Sequence, residues 1–254
     1  MDIQQIETDL SNKLSKKRFI HTLGVVESAI YLAKKYGANV EDARLAAMLH
    51  DCAKELPLLE MQDLVADLSC DVDMLHSGAL LHGLAGMVLA NTHYGITNRE
   101  VLEAIRVHTT GKVGMSKLDK VIFLADYIEP NRNFPGVNDI RAAAEQSLDA
   151  GVLCGFDMTI RHLIDSNDTI YPLTIISRND LIQHIFIADI FQTFQRVMYG
   201  EVGVLGVHAE VVFRGASSQD LVFQFRIVVV VFEGRQQHFL CSVRINGIDA
   251  VAEA

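Results

Sequence analysis

The sequence predicts an all-α helical bundle that carries a small antiparallel β appendage at its C-terminal end. Three observations carry this expectation. Apolar residues over roughly the first 165 positions recur at three- and four-residue spacing. Helix-capping and helix-stopping residues punctuate that run. After about residue 184 the period changes to two. The expected organisation is therefore a helical domain over residues 1–183 and a β-rich extension over 184–254.

The elements follow in order. In "KKRFIHTLGVVESAIYLAKKYG" (16–37), Phe19, Leu23, Val26 and Ile30 make one apolar stripe, and Lys34, Lys35 and Gly37 mark its end. Asn39 caps the next helix, which runs through Leu45, Met48 and Leu49 to His50-Asp51 before Pro57 blocks continuation. Further helices are expected near 59–67, 79–93 and 99–109, the last opened by a Thr97/Glu100 capping box. Ser116 caps "KLDKVIFLADYIE", the two-proline stretch "EPNRNFPGVND" is a loop, and helices follow near 137–148 and 150–165. In the tail, Val207, Ala209, Val211 and Phe213, then Phe223, Phe225 and Ile227, then Phe239, Cys241, Val243 and Ile245 alternate with their neighbours, with turns at "RGASSQD" and "EGRQQ". No internal repeat is evident.

Composition narrows the function classes. The chain has 254 residues, half of them hydrophobic, which is ample for a core. Its net charge of −10 argues against non-specific binding to nucleic acid or to an anionic membrane, so an anionic substrate needs a local cluster of cations. Four scattered cysteines without a CxxC pair suit a reduced interior rather than a disulfide framework. The N-terminal stretch lacks an apolar signal core, and the longest apolar run, "IVVVVF" (227–232), is too short to span a bilayer. A cytoplasmic location is the expectation.

The chemistry is carried by histidines and carboxylates set in apolar helices: His21, His50, Asp51, His82, His108 and Asp126. Side chains from several helices can converge on the core of a bundle. Neighbours on a helix diverge by about 100°, so His50 and Asp51 do not face one direction, but they can still serve one cluster if the carboxylate bridges two ions while the imidazole holds one. A mixed imidazole and carboxylate set suits Fe, Mn, Zn or Co rather than Ca or Mg alone. Taken singly, His82 in "LLHGLAG" reads as a satisfied core histidine, and Asp126 in "FLADYIE" as one half of a buried salt bridge. His76, His93 and His162 read as ordinary hydrogen-bonded or solvated side chains.

The order His21, His50-Asp51, His82, His108, Asp126 resembles the HD-domain metal-dependent phosphohydrolases. The longer stretches "RFIHTLGV", "AAMLHDCAKEL" and "AIRVHTTGKVGMSKLDKVIFLADYIEPNRNFPGV" resemble its YqeK-type branch over about residues 1–180. The resemblance implies an all-helical HD fold with a di-metal centre, often iron, with Mn, Co or Zn as the other candidates. It implies symmetrical hydrolysis of diadenosine tetraphosphate to two ADP. It assigns His21, His50, Asp51 and Asp126 to one ion and Asp51, His82 and His108 to the other. Lys54 and Lys112 are then expected at phosphate oxygens, Thr109 and Gly111 beside the metal, and Asn131 and Arg132 at the nucleotide. A surface role is the plain alternative for Lys54, Lys112 and Arg132. Other functions stay open: a nucleotidase or pyrophosphatase on another nucleotide, and a nucleotide-sensing module with slow turnover. The tail fits no recognised pattern. It reads as a packed sheet that would suit a homodimer interface, as a separate binding module, or as an unselected extension.

Overall fold

The computed structural model describes the backbone of residues 1–198, 203–214, 222–233 and 236–246, and the side chains of residues 1–188. Helix α1 (Ile3–Lys13) opens under a capping box in which Asp2 accepts the Gln5 N–H and Gln5 accepts the Asp2 N–H. Sequence reading assigned no helix there. The box satisfies two otherwise orphaned donors, and Ile6 and Leu10 bury its apolar edge. Helix α2 (Lys16–Tyr36) starts at Ser15, whose hydroxyl accepts the Arg18 N–H, and stops at Gly37 in the left-handed region. Asn39 caps α3 (Val40–Leu49) by accepting from both Glu41 and Asp42.

Two short helices, α4 (Leu58–Leu64) and α5 (Val72–Leu75), lead into α6 (Gly78–Thr92) and α7 (Arg99–Val107). Asn98, rather than the expected Thr97, caps α7: its side chain takes the Glu100 N–H at 3.0 Å, and asparagine is the stronger capping residue. Helix α8 (Lys117–Ile128) has a full capping box from Ser116 and Asp119. Ser147 both ends α9 (Val137–Gln146) and caps α10 (Leu148–Asp165). Helix α11 (Pro172–Met198) runs through residue 184, where the change of period had placed the start of the β-rich segment.

The main core is buried between α2, α3, α7, α8 and α10, where Leu32, Leu49, Ile105, Ile122, Phe123 and Phe156 are fully buried. The Phe123 and Phe156 rings lie 4.5 Å apart. A smaller cluster of Met61, Val65, Leu81, Leu84 and Ala85 locks α4 onto α6. Each fully buried Leu, Ile or Phe contributes roughly 1.5–3 kcal/mol. That burial fixes the helix ends on which the polar side chains of the next section stand.

The chain divides into two compact units, Met1–Ile185 and Phe186–Ala254. The first is built of helices, with no strand among its described residues, so the fold class is all-α. This corrects the expected class of a bundle with a small β appendage. In the second unit, extended backbone at Gly203–Arg214, Val222–Glu233 and Gln236–Asn246 pairs antiparallel in that order. The side chains of these segments, and with them the core an appendage needs, lie outside the described residues. Period-two alternation reports a local backbone preference, whereas a stable three-stranded sheet needs an apolar face packed on something. The homodimer contact expected of the tail also falls outside the described residues. Among the described residues no helix is long and apolar enough to cross a membrane.

Candidate metal centre

Five helices bring the six predicted ligands to one place. His21 lies on α2, His50 and Asp51 follow the last residue of α3, His82 is early in α6, His108 follows the last residue of α7, and Asp126 is near the end of α8. His50, Asp51, His82 and His108 are at most 3% exposed, and His21 is 8% exposed. These positions are helix ends or faces turned inward, so the apolar packing of each helix aims its polar residue at the same point.

Asp51 is the hub. Its Oδ2 faces His21 Nε2 at 3.6 Å and His50 Nε2 at 3.3 Å, and its Oδ1 faces His82 Nε2 at 3.3 Å and His108 Nε2 at 3.7 Å. Asp126 Oδ1 lies 3.0 Å from His21 Nε2. The donor atoms of His21, His50 and Asp126 are near enough to share one ion, and so are those of His50, Asp51 and His108. One carboxylate with an oxygen on each side is the arrangement a bridging ligand needs.

The histidine tautomers follow from the carbonyls behind them. His50 Nδ1 donates to Ala47 O and His108 Nδ1 to Ile105 O, each at 2.7 Å, and His82 Nδ1 donates to Gly78 O at 3.1 Å. A carbonyl only accepts, so each neutral ring turns a bare Nε2 lone pair inward. His82 Nε2 and His108 Nε2 face each other at 3.0 Å, and among the described residues the buried Nε2 atoms of His21 and His50 make no hydrogen bond. Converging lone pairs and carboxylates repel unless a cation lies among them, so this donor set fits divalent metal.

The local electrostatics agree with a cation site. Burial works to raise the Asp51 pKa, but the neighbouring His50 and the His108 and His82 rings hold it well below the carboxylate range. Asp126 is likewise held low, against burial, by His21 and Arg132. Burial pushes His82 down to about 4. It also lowers the Lys54 pKa, although Asp51 draws it the other way.

The other expected site residues are distributed unevenly. Lys54 Nζ lies 3.3 Å from His82 Nε2, and Thr109 Oγ1 lies 3.2 Å from His82 Nε2 and 3.1 Å from His108 Nε2, so both border the centre. Arg132 bonds Asp126 Oδ1 at 2.5 Å and the Asp126 carbonyl at 2.9 Å. Asn131 gives its N–H and its amide to Glu129. Lys112 is held between Glu103 and Asp119, 3.0 Å from each. Gly111 has φ +65°, and a Cβ there would meet Phe156 at 2.5 Å, so packing already accounts for this glycine.

Sequence reasoning missed two residues. Arg18 bonds Asp51 Oδ2 at 2.6 Å from the first turn of α2. Glu129, read as a helix end, is buried and accepts from His21 Nδ1 at 3.2 Å. Two clefts border the centre. One, of about 940 Å³, is lined by Lys16, Lys17, Arg18, His21, Asn131 and Arg132 among others. The other, of about 730 Å³, is lined by Asp126, Tyr127, Arg132, Phe134, Met158 and Arg161 among others.

Comparisons with known proteins fit this geometry. Residues 18–131 match the HD domain family. The chain is 45% identical over 170 residues to a symmetrical bis(5'-nucleosyl)-tetraphosphatase of Halalkalibacterium halodurans, covering 66% of this chain and 91% of the relative. It is 38% identical over 174 residues to the Bacillus subtilis protein of the same name, covering 68% and 94%. Among solved structures, it resembles an HD superfamily hydrolase from Clostridium acetobutylicum described as involved in NAD metabolism. That match has a TM-score of 0.70 and 41% identity, and covers 72% of this chain and 98% of the other.

Proposed function

The chain belongs to the HD-domain family of symmetrical bis(5'-nucleosyl)-tetraphosphatases, and from that premise we propose that it is a metal-dependent hydrolase that cleaves diadenosine tetraphosphate to two ADP. The observation that carries the reading is the split of Asp51, with His21 and His50 on one oxygen and His82 and His108 on the other.

On this reading His21, His50, Asp51 and Asp126 hold one divalent ion, and Asp51, His82 and His108 hold the second. Iron is the proposed resident metal, and Mn, Co or Zn suit the same donors. Such a pair supplies Lewis acidity for phosphoryl oxygens and makes water a competent nucleophile near neutral pH. The protein's own residues do the rest. The backbone carbonyls behind His50, His82 and His108 fix the inward-facing lone pairs. Arg18, Arg132 and Lys54 surround the carboxylates with positive charge and meet the polyphosphate, a local cationic cluster in a chain whose net charge is −10. The Thr109 hydroxyl adds a donor between His82 and His108. The two clefts share Arg132 and Phe134, so a substrate centred on Arg132 reaches both, one nucleoside to each side. Addition of water to one inner phosphorus, with the bond from that phosphorus to the central bridging oxygen breaking, would leave one ADP carrying the water oxygen and release the other with the bridging oxygen.

The test is a product assay. The full chain, purified without chelator, is analysed for bound metal, supplied with Mn(II) or Fe(II), and given diadenosine tetraphosphate. ADP as sole product is expected. AMP with ATP would keep the centre and overturn the position of attack. Bound metal without turnover would redirect the assignment to another nucleotide.

A further inference from the structure

Glu129 ends α8 with its carboxylate buried, in the wall of the cleft of about 940 Å³ that Arg18, His21 and Arg132 also line. Oε1 accepts from His21 Nδ1 at 3.2 Å. Oε2 accepts from the Asn131 backbone N–H at 2.6 Å and from the Asn131 side-chain amide at 3.1 Å. Among the described residues its only ion-pair partner is His21. A buried carboxylate is costly without such bonds, so their direction has consequences for both groups it holds.

A second observation, on a different helix, points to the same carboxylate. Gly24 lies one turn beyond His21 on α2. A Cβ at this position would stand 2.4 Å from Glu129 Oε2 and 3.3 Å from Asn131 Nδ2. The helix backbone therefore has a notch in which the carboxylate lies, next to the ring it orients.

We infer that Glu129 is a positioning residue, seated in the Gly24 notch, that sets His21 as a metal ligand with one oxygen and sets the Asn131–Arg132 loop with the other. This rests on the metal-centre reading above. By accepting a hydrogen bond from the His21 Nδ1–H it turns the Nε2 lone pair toward Asp51 and Asp126 and makes the imidazole a better metal donor. Because the same group holds Asn131, the geometry of one ligand and the entrance of the positively charged cleft move together. An amide in its place accepts on one side only, so Glu129→Gln keeps the volume and breaks one of the two holds.

The experiment measures Mn(II) affinity by competition with a chromophoric chelator on the full chain and on Glu129→Gln, Glu129→Asp and Gly24→Ala. Circular dichroism melting is recorded for each. Glu129→Gln is expected to weaken Mn(II) binding roughly 10–100-fold with its helical signal kept. Gly24→Ala, which alters no ligand and no carboxylate, is expected to weaken it as well, because its methyl group displaces Oε2. Glu129→Asp is expected to recover part of what Glu129→Gln loses. Unaltered affinity in either Glu129→Gln or Gly24→Ala overturns the inference, as does a loss that merely follows loss of helix. Should Glu129→Gln fail to fold, the folded Gly24→Ala protein decides. Failure of the unaltered chain to take up Mn(II) would instead overturn the proposed function, and the inference with it.

Discussion

Two polar clusters lie inside the same helical unit and differ in how their charges are answered. Around Lys112, Glu103 binds Arg106 through two bonds of 2.7 and 2.8 Å, and Lys112 joins Glu103 to Asp119, so acids and bases meet one another directly. Around Asp51, four imidazoles turn their Nε2 atoms toward two carboxylates, two of those nitrogens have no hydrogen bond, and two others face each other at 3.0 Å. In the first cluster each carboxylate has a cationic side chain on it, although Asp119 Oδ1 is buried without a hydrogen-bond partner among the described residues. In the second, Arg18 and Arg132 meet the outer sides of Asp51 and Asp126 and still leave imidazole nitrogens converging on one another, an arrangement that suits a cation between them. Convergence of lone pairs, rather than burial or the number of charges, is what separates a binding centre from a structural ion-pair network.

The sharpest way to break this distinction is at the hub. Asp51→Ala removes, among the described residues, the carboxylate whose oxygens face both sets of histidines, and loss of bound metal together with loss of measurable hydrolysis is expected by metal analysis and product assay. Turnover in a metal-saturated Asp51→Ala protein would end the assignment.

Next in size is Arg132→Ala, which takes a charge-assisted contact from the shared rim of the two clefts. A hydrogen bond to a charged group is worth about 1.5–3 kcal/mol, so kcat/KM for diadenosine tetraphosphate should fall roughly 10–100-fold. The same change in Arg18 is expected to act in the same direction, and steady-state kinetics checks both.

Lys112→Met tests the other cluster. It should leave kcat/KM within a few-fold of the unaltered chain and lower stability by about 2 kcal/mol, since the buried Asp119 carboxylate loses its cation. Denaturant unfolding beside kinetics separates the two effects, and a large kinetic loss at unchanged stability would move Lys112 into the reaction.

The smallest effect is a pH dependence. Hydrogen bonds from Arg106 first, and then from Lys112, lower the Glu103 pKa to about 2. A depressed carboxylate contributes stability that is present above its unfolded value and is lost as pH falls through the folded one. Here that window runs from about 4.5 down to about 2. Allowing for solvent screening of this half-exposed pair, Glu103→Gln should cost about 1 kcal/mol at pH 7 and almost nothing at pH 2. Equal destabilisation at both pH values would show that the contribution is packing and not charge.

The same contrast explains what could be read in advance. Histidine and aspartate are conspicuous in helices otherwise built from Ala, Leu, Val and Ile, so His50, Asp51, His82 and Asp126 stand out against their neighbours. Lys112 follows His108 within five residues and looks equally close to the centre, but its long side chain reaches back to Glu103 and forward to Asp119. Spacing along the chain does not reveal that choice. Arg18 and Glu129 were hidden for the converse reason. An Arg in a first turn and a Glu after a last turn are ordinary surface residues in sequence, and only the packing of α2 against α8 turns them inward. The helix order was legible from caps and stops. The fold class was over-read in the tail, where alternation of β-branched residues says how a strand would face but not what it would face.

The proposed ligands come from five separate helices, and two of them, α3 and α7, end where those residues begin. On the proposed assignment a cation in the first set would tie α2, α3 and α8 together, and one in the second would tie α3, α6 and α7. Occupancy is thereby also cross-linking. At a free metal concentration of about 100 times Kd, a site that exists only in the folded chain adds roughly 2.7 kcal/mol to its stability. On the proposed reading, metal supply would thus set how firmly the helical unit holds together as well as how fast it works.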